Sequence, residues 1–451
     1  MEENKEGFGS KIGFILAAAG SAVGLGNIWR FPYLAAKYGG GIFLLTYIIL
    51  VVTFGFSLMV TEISLGRKTG KSVIGAYKDA DKRFGFLGPV AALVPFIITP
   101  YYCVIGGWVV KYLVVFISGQ AVAATNDDFF GGFISQAGQP TVFFLIYALL
   151  TAVVVIFGVE KGIENVSKIL MPILVVLSVG IAIYTMTLPG AGAGLKYYIL
   201  PNFEGFTGAK FLKTIVAAMG QLFYSMSLAM GIMVTYGSYM RKQDSVEGST
   251  RQISFFDTLI AIIAGLIIVP SVFIFSGGDA AALNAGPGLM FVTLPKVFDS
   301  MKGGHIVGAA FFVLVTFAAL TSSVSLLETM VSIVSEKFKL KRVASTAVCF
   351  VFLIVMGLFS VLGYSSWSEV TIFGYQILDF FDFISNNIMM PIVALLTCIL
   401  IGYVVRPGYV EEETTHNGEV FKSKGLYEVM TKYVCPAFMI IILLTPFFVQ
   451  L

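Results

Sequence analysis

The sequence predicts an all-α polytopic membrane protein of eleven transmembrane helices, built as two inverted repeats of five with the first and sixth helices broken. Three observations carry this. More than half of the 451 residues are hydrophobic and only 12% are charged, which is outside ordinary soluble composition. The apolar residues gather into runs of roughly 18 to 30, against about 20 needed to cross a bilayer. Two of those runs, five helices apart, carry small and polar interruptions at mid-depth, a pattern that points to an inverted-repeat transporter.

The runs are 12–36, 41–65, 88–118, 141–158, 168–188, 212–240, 254–276, 305–334, 344–363, 374–405 and 433–450. The first contains GSAVGLGNIWRFP, Gly20 to Pro32. Glycines, an asparagine and an arginine interrupt a segment otherwise long enough to span. In hydrocarbon every backbone amide needs a protein partner, so irregular backbone survives there only when buried or lining a cavity. A broken helix enclosing a polar site is therefore expected. Its free carbonyls would suit a cation and its free amides an anion.

The second run, ending in SLGRKTG, is expected to be continuous. The third carries Pro100-Tyr101-Tyr102 near its middle, and one tyrosine either packs or lines the site. After the fourth run, Gly162 and Pro172 bracket nine residues at the entrance of the fifth. Two readings stand: a loop followed by a helix start with proline in its first turns, or a helix end able to unwind. The sixth run contains GQLFYSMSLAMG, with Gln221, Ser225 and Ser227 at its centre. Such residues often bond across to a neighbouring helix, and here they answer the break in the first run.

Asp257 lies near the start of the seventh run, where its depth decides whether it reaches water or serves a site. The stretch from 277 to 304 is too long and patterned for a plain loop and is expected to form an outer lid. The eighth run carries Thr321 to Ser325, TSSVS, and the tenth opens with LDFFDF, which includes Asp379 and Asp382. The domains expected are a first repeat over 1–188, a second over 189–405 with the lid, and a cytoplasmic loop with helix 11 over 406–451.

Lysine and arginine cluster after the second, sixth and eighth runs, at Arg67 to Arg83, Arg241 to Arg251 and Lys337 to Arg342. The positive-inside rule makes those ends cytoplasmic. The N-terminus is then inside and, with an odd helix count, the C-terminus outside, in a multi-pass protein of the cell membrane. All four cysteines lie in apolar runs and read as core. His305 and His416 have no nucleophile or metal-ligand spacing around them, which argues against an enzyme, and no nucleic-acid partner is expected.

At GSAVGLGNIWRFP, GQLFYSMSLAMG, TSSVS and the Gly162–Pro172 spacing, the chain resembles the neurotransmitter:sodium symporter family over nearly its whole length. The pointer from paired broken helices was itself drawn from this LeuT-type fold, so it is not independent of the resemblance. The resemblance implies two sodium sites. The first would use Ala22, Asn27, Ser225 and Asp257; the second would use carbonyls of Gly20, Val23 and Ala318 with the hydroxyls of Thr321 and Ser322. Only oxygen ligands are involved, as a hard cation requires.

The resemblance further implies that Leu25 and Gly26 amides with Tyr102 hold a substrate carboxylate. Ala22, Gly24, Ile98, Tyr224, Ser227, Met230, Ser322 and Leu326 would complete the pocket. Monoamine-carrying relatives place an aspartate at Gly24, so a glycine there favours amino acids. Arg30 and Asp382 would gate the outer side; Lys5, Phe8, Glu336 and Tyr239 would gate the inner side. Gly162 and Pro172 would allow unwinding. Asp257 stands where the family usually has asparagine, and its charge would replace a chloride. The expected function is sodium-coupled import of neutral hydrophobic or aromatic L-amino acids, chloride-independent, by a monomer working in the bilayer. A substrate-gated channel or receptor on the same fold stays open, and accumulation against a gradient separates them.

Overall fold

The structure, a computed structural model, describes residues 7–277 and 287–448. In chain order its principal helices are α1 (Lys11–Ala22), α2 (Gly26–Lys37), α3 (Gly41–Thr69), α4 (Lys82–Ile117), α5 (Gly138–Ile156) and α6 (Val159–Met186). There follow α7 (Ala191–Ile199), α8 (Gly208–Ser225) and α9 (Ile232–Tyr239). The chain continues through α10 (Val246–Phe275), α11 (Gly304–Phe338), α12 (Arg342–Tyr364), α13 (Ile377–Val404) and α14 (Lys424–Thr445). Among the described residues there is no β-strand, and nine helices are long and apolar enough to cross a membrane. The pair α1 and α2, bent by 55°, makes a tenth. The remaining expected span is α8 plus α9, parted by Met226 to Gly231.

Both breaks have local causes. α1 starts where the Ser10 side chain accepts a hydrogen bond from the Gly13 amide, a normal N-cap. It stops at Val23, whose backbone is extended (φ −72°, ψ 105°). The Gly24 amide then bonds to Asn27 Oδ1 at 3.0 Å, so the asparagine side chain ties the break to the start of the second half. Between α8 and α9, Ser227, Ala229 and Gly231 take φ of 53°, 60° and 76°. Three left-handed residues within five cannot continue a right-handed helix, and two of them carry a Cβ, so surrounding contacts must hold them.

Burial sorts the helices into centre and rim. In α4 and α11, 78% of the most apolar stretch is buried, whereas in α6 and α14 the share is 33%, which leaves their outer faces to lipid. The four cysteines are free and buried, as expected.

Two expectations change, and one is described only in part. The residues after Gly158 are wound, first as a π-helical turn over Val159–Glu164 and then as α-helix over Asn165–Met186 with Pro172 inside it. The loop reading of this stretch is therefore corrected: Gly162 lies in the wound segment, and a Cβ there would lie 2.1 Å from the Val154 carbonyl oxygen, so only glycine lets α6 close on α5. The last span begins at Lys424, nine residues before the apolar run, because an amphipathic turn that buries Tyr427 extends it. Of the lid, residues 278–286 lie outside the described residues. Its remainder forms Leu289–Thr293 and Leu294–Asp299, which seat Phe291 against Trp29, Trp108, Tyr112 and Phe130.

Candidate substrate and ion site

The two breaks meet at the centre of the bundle. A cavity there is lined by Ser21, Ala22, Gly24 and Gly26 from α1 and α2, Ile98 and Tyr102 from α4, Tyr224, Ser227, Met230 and Ile232 from α8 and α9, and Ser322 and Leu326 from α11. Nearly all of the expected pocket residues are therefore brought together. Leu25 is the exception in that it is fully buried behind the lining, and its amide donates to the Tyr102 hydroxyl at 3.4 Å. Ser21 and Ile232 were not expected. The cavity encloses about 20 Å³, room for about one water. A ligand larger than water enters only as the lining shifts, and the unbranched Met230 is the side chain best suited to yield.

Glycine at 24 and 26 is a matter of space. A Cβ at Gly24 would lie 2.7 Å from Ser322 Oγ and 2.9 Å from the Tyr102 hydroxyl, and one at Gly26 would lie 2.4 Å from the Tyr224 ring. Gln221, from α8, donates to the Gly26 carbonyl at 2.9 Å and ties the two broken helices together.

Beside the cavity, Asn27, Ser225 and Asp257 form one buried cluster. Asn27 Nδ2 donates to Asp257 Oδ1 at 2.7 Å and to Ser225 Oγ at 2.9 Å; Ser225 Oγ donates to Asp257 Oδ1 at 2.8 Å. The Tyr47 hydroxyl donates to Asp257 Oδ2 at 3.3 Å. Asp257 is fully buried, and among the described residues no salt bridge reaches it. A buried carboxylate with no cationic partner is strongly disfavoured, so it needs a bound cation or a proton.

On the other side of the break, the Ser322 hydroxyl lies 3.0 Å from the Ser21 carbonyl, 3.2 Å from those of Val23 and Ala318, and 3.5 Å from that of Gly20. One hydroxyl proton cannot serve four carbonyls. The carbonyls of Gly20 and Ser21 are among the last four of α1, which have no partner within their own helix. Thr321 Oγ1 adds a further oxygen, 3.1 Å from the Ala318 carbonyl. Acceptors in excess of donors around one point suit a desolvated cation, and the all-oxygen set suits sodium.

The ends of the bundle differ. At one end, the Arg30 guanidinium lies 5.6 Å from the Tyr224 ring centroid. Asp382 accepts from Tyr101 at 3.1 Å and Asn386 at 2.7 Å, and no salt bridge joins it to Arg30. Of the paired tyrosines, Tyr102 lines the cavity and Tyr101 serves this end. At the other end, the Phe8 ring packs edge-on against Phe14 and Tyr236, and its amide donates to the Tyr239 carbonyl at 3.1 Å. The Tyr239 hydroxyl donates to Glu328 at 2.8 Å, and Glu328 pairs with Arg342. Glu336 accepts from the Ser72 amide. Lys5 lies outside the described residues.

Glu62, Tyr47 and Glu328 were missed. Glu62 accepts from the Ala229 amide at 2.7 Å, which holds one of the left-handed residues of the second break. Glu62 is the sole charged residue of the second apolar run, and an intramembrane carboxylate is a functional candidate by default. That signal was available.

A model of the sodium:neurotransmitter symporter family matches residues 5–129 and 120–450. An uncharacterized sodium-dependent transporter of Bacillus subtilis (strain 168), YhdH, is 34% identical over 98% of each chain. An uncharacterized sodium-dependent transporter of Haemophilus influenzae is 30% identical over 99% of each chain. Among solved structures, MhsT in complex with L-phenylalanine superposes with a TM-score of 0.87 at 36% identity, covering 98% of this chain and 100% of that one.

Proposed function

The chain belongs to the sodium:neurotransmitter symporter family, and from that premise we propose that it imports neutral hydrophobic or aromatic L-amino acids with sodium, without chloride. The observation that carries this is the fully buried Asp257, bonded to Asn27 and Ser225 and facing no cationic side chain beside the substrate cavity. One sodium offsets its charge. The second is held by the carbonyls of Gly20, Val23 and Ala318 with Thr321 and Ser322. The glycine at 24 supports an amino acid over an amine, because it brings no carboxylate and the substrate must supply its own; a Cβ there would also press on Ser322 and Tyr102. The phenylalanine in MhsT agrees with an aromatic substrate.

The mechanism follows from the two breaks. The amides at the start of α2 and the Tyr102 hydroxyl orient the substrate carboxylate, and one of its oxygens completes the first sodium shell. Each ligand then raises the affinity of the other, which is the coupling symport requires. Residues 1–188 and 189–405 act as the two repeats, with the Arg30 end outside and the Phe8 end inside. Unwinding of α6 between Gly162 and Pro172 releases the second sodium inward. The family is one of transporters, and we read this chain as a carrier without enzymatic chemistry, working as a monomer in the cell membrane. Uptake of labelled leucine and tryptophan into proteoliposomes tests the proposal. Accumulation driven by an inward sodium gradient, but not by potassium, is expected with gluconate in place of chloride. Binding without accumulation would make the protein a sensor or channel instead.

A further inference from the structure

A second cavity, of about 400 Å³, lies at the Arg30 end between the close of α2, helix α7 and the start of α8. Its lining includes Lys37, Lys210 and Lys213, with Tyr197 and Phe206. No aspartate or glutamate lines it, and among the described residues no salt bridge joins any of the three lysines to a carboxylate. The Lys37 ammonium lies 5.6 and 5.4 Å from the ring centroids of Tyr33 and Tyr38. The Lys210 ammonium donates to the Gly205 carbonyl at 3.3 Å. Three ammonium groups around one cavity repel each other and draw an anion.

The walls are tied together. The Thr214 hydroxyl lies 3.2 Å from the Tyr38 carbonyl, and the Tyr197 hydroxyl donates to the Ala36 carbonyl. A Cβ at Gly39 would lie 2.7 Å from the Phe206 ring. Beside the lysines, Phe203, Phe211 and Leu212 are 59%, 43% and 55% exposed. Apolar side chains at this level, next to lysines, are the composition of a lipid interface.

We propose that this cavity is a binding site for a phosphate-bearing anion, held by Lys37, Lys210 and Lys213. An anionic phospholipid headgroup, its acyl chains against Phe211 and Leu212, is one source of that chemistry; a soluble phosphate ester is the other. The site bridges α2 and α8, the same two half-helices that Gln221 joins at the substrate cavity. An anion bound there steadies them relative to each other. The site stands independently of which substrate the protein carries.

The test uses the purified full chain. Native mass spectrometry measures retention of dioleoyl phosphatidylglycerol against dioleoyl phosphatidylcholine, and thermal unfolding in detergent is followed with and without glycerol 3-phosphate. Phosphatidylglycerol is expected to be retained about tenfold better, and K210Q/K213Q to abolish the preference. The single variant K213Q, whose side chain makes no hydrogen bond or salt bridge among the described residues, is expected to weaken it without altering unfolding in plain detergent. Stabilisation by glycerol 3-phosphate, lost in the same variants, would identify the soluble source and equally support the site. Equal retention of both lipids with no effect of glycerol 3-phosphate would overturn the proposal. So would a preference that the lysine substitutions leave intact.

Discussion

Asp257 concentrates the chemistry of the site in one carboxylate. It is buried without a cationic side chain, and its hydrogen bonds from Asn27, Ser225 and Tyr47 orient it without neutralising it. If its charge stands in for an anion, Asp257→Asn should lower chloride-free uptake by at least about tenfold, equivalent to ~1.4 kcal/mol, and added chloride should restore part of it. Unchanged chloride-free uptake would refute that role. Gly24→Ala makes a second residue-scale prediction: its Cβ would press on Ser322 and Tyr102. Leucine affinity should fall about tenfold or more in equilibrium binding, with folding intact. The residues bearing on this chemistry were largely legible in the sequence, because glycine, asparagine and aspartate inside apolar runs have few bland explanations. Tyr47 was not, since a tyrosine in an apolar run looks like packing until its hydroxyl is seen to reach Asp257.

At the scale of the element, the second break depends on a partner from elsewhere in the chain. Ser227 and Ala229 hold left-handed backbone, each such residue costing on the order of 1 kcal/mol, and Glu62 fixes Ala229 through its amide. Glu62→Ala should reduce leucine affinity about tenfold or more; Glu62→Gln, which still accepts from that amide, should retain most of it. Isothermal titration of both variants distinguishes positioning from loss of charge. In α6, if the proposed unwinding releases sodium, Pro172→Ala should slow sodium release and uptake by strengthening that helix; equal rates by stopped-flow would exclude unwinding there. The interruptions in the first and sixth runs were visible in sequence. The winding of the residues after Gly158 was not, because a glycine followed by charged residues reads as a loop when the close approach to the Val154 carbonyl is unknown.

For the whole molecule, the two ends close by different means. The Phe8 end carries an aromatic cluster and the Tyr239–Glu328–Arg342 chain, while at the Arg30 end no ion pair joins Arg30 to Asp382. Arg342→Ala removes the guanidinium paired with the buried Glu328 carboxylate, which favours opening at that end. Hydrogen exchange over residues 7–10 should rise, and sodium-driven accumulation should fall even where leucine still binds. The all-helical membrane architecture followed from the apolar runs, whereas the tertiary network around Glu328 needed the packing of α9, α11 and α12 to be seen. The most direct single measurement is leucine affinity titrated against sodium, paired with sodium affinity titrated against leucine. Shared occupancy of one centre predicts that each ligand tightens the other by the same factor. Leucine binding indifferent to sodium would contradict it.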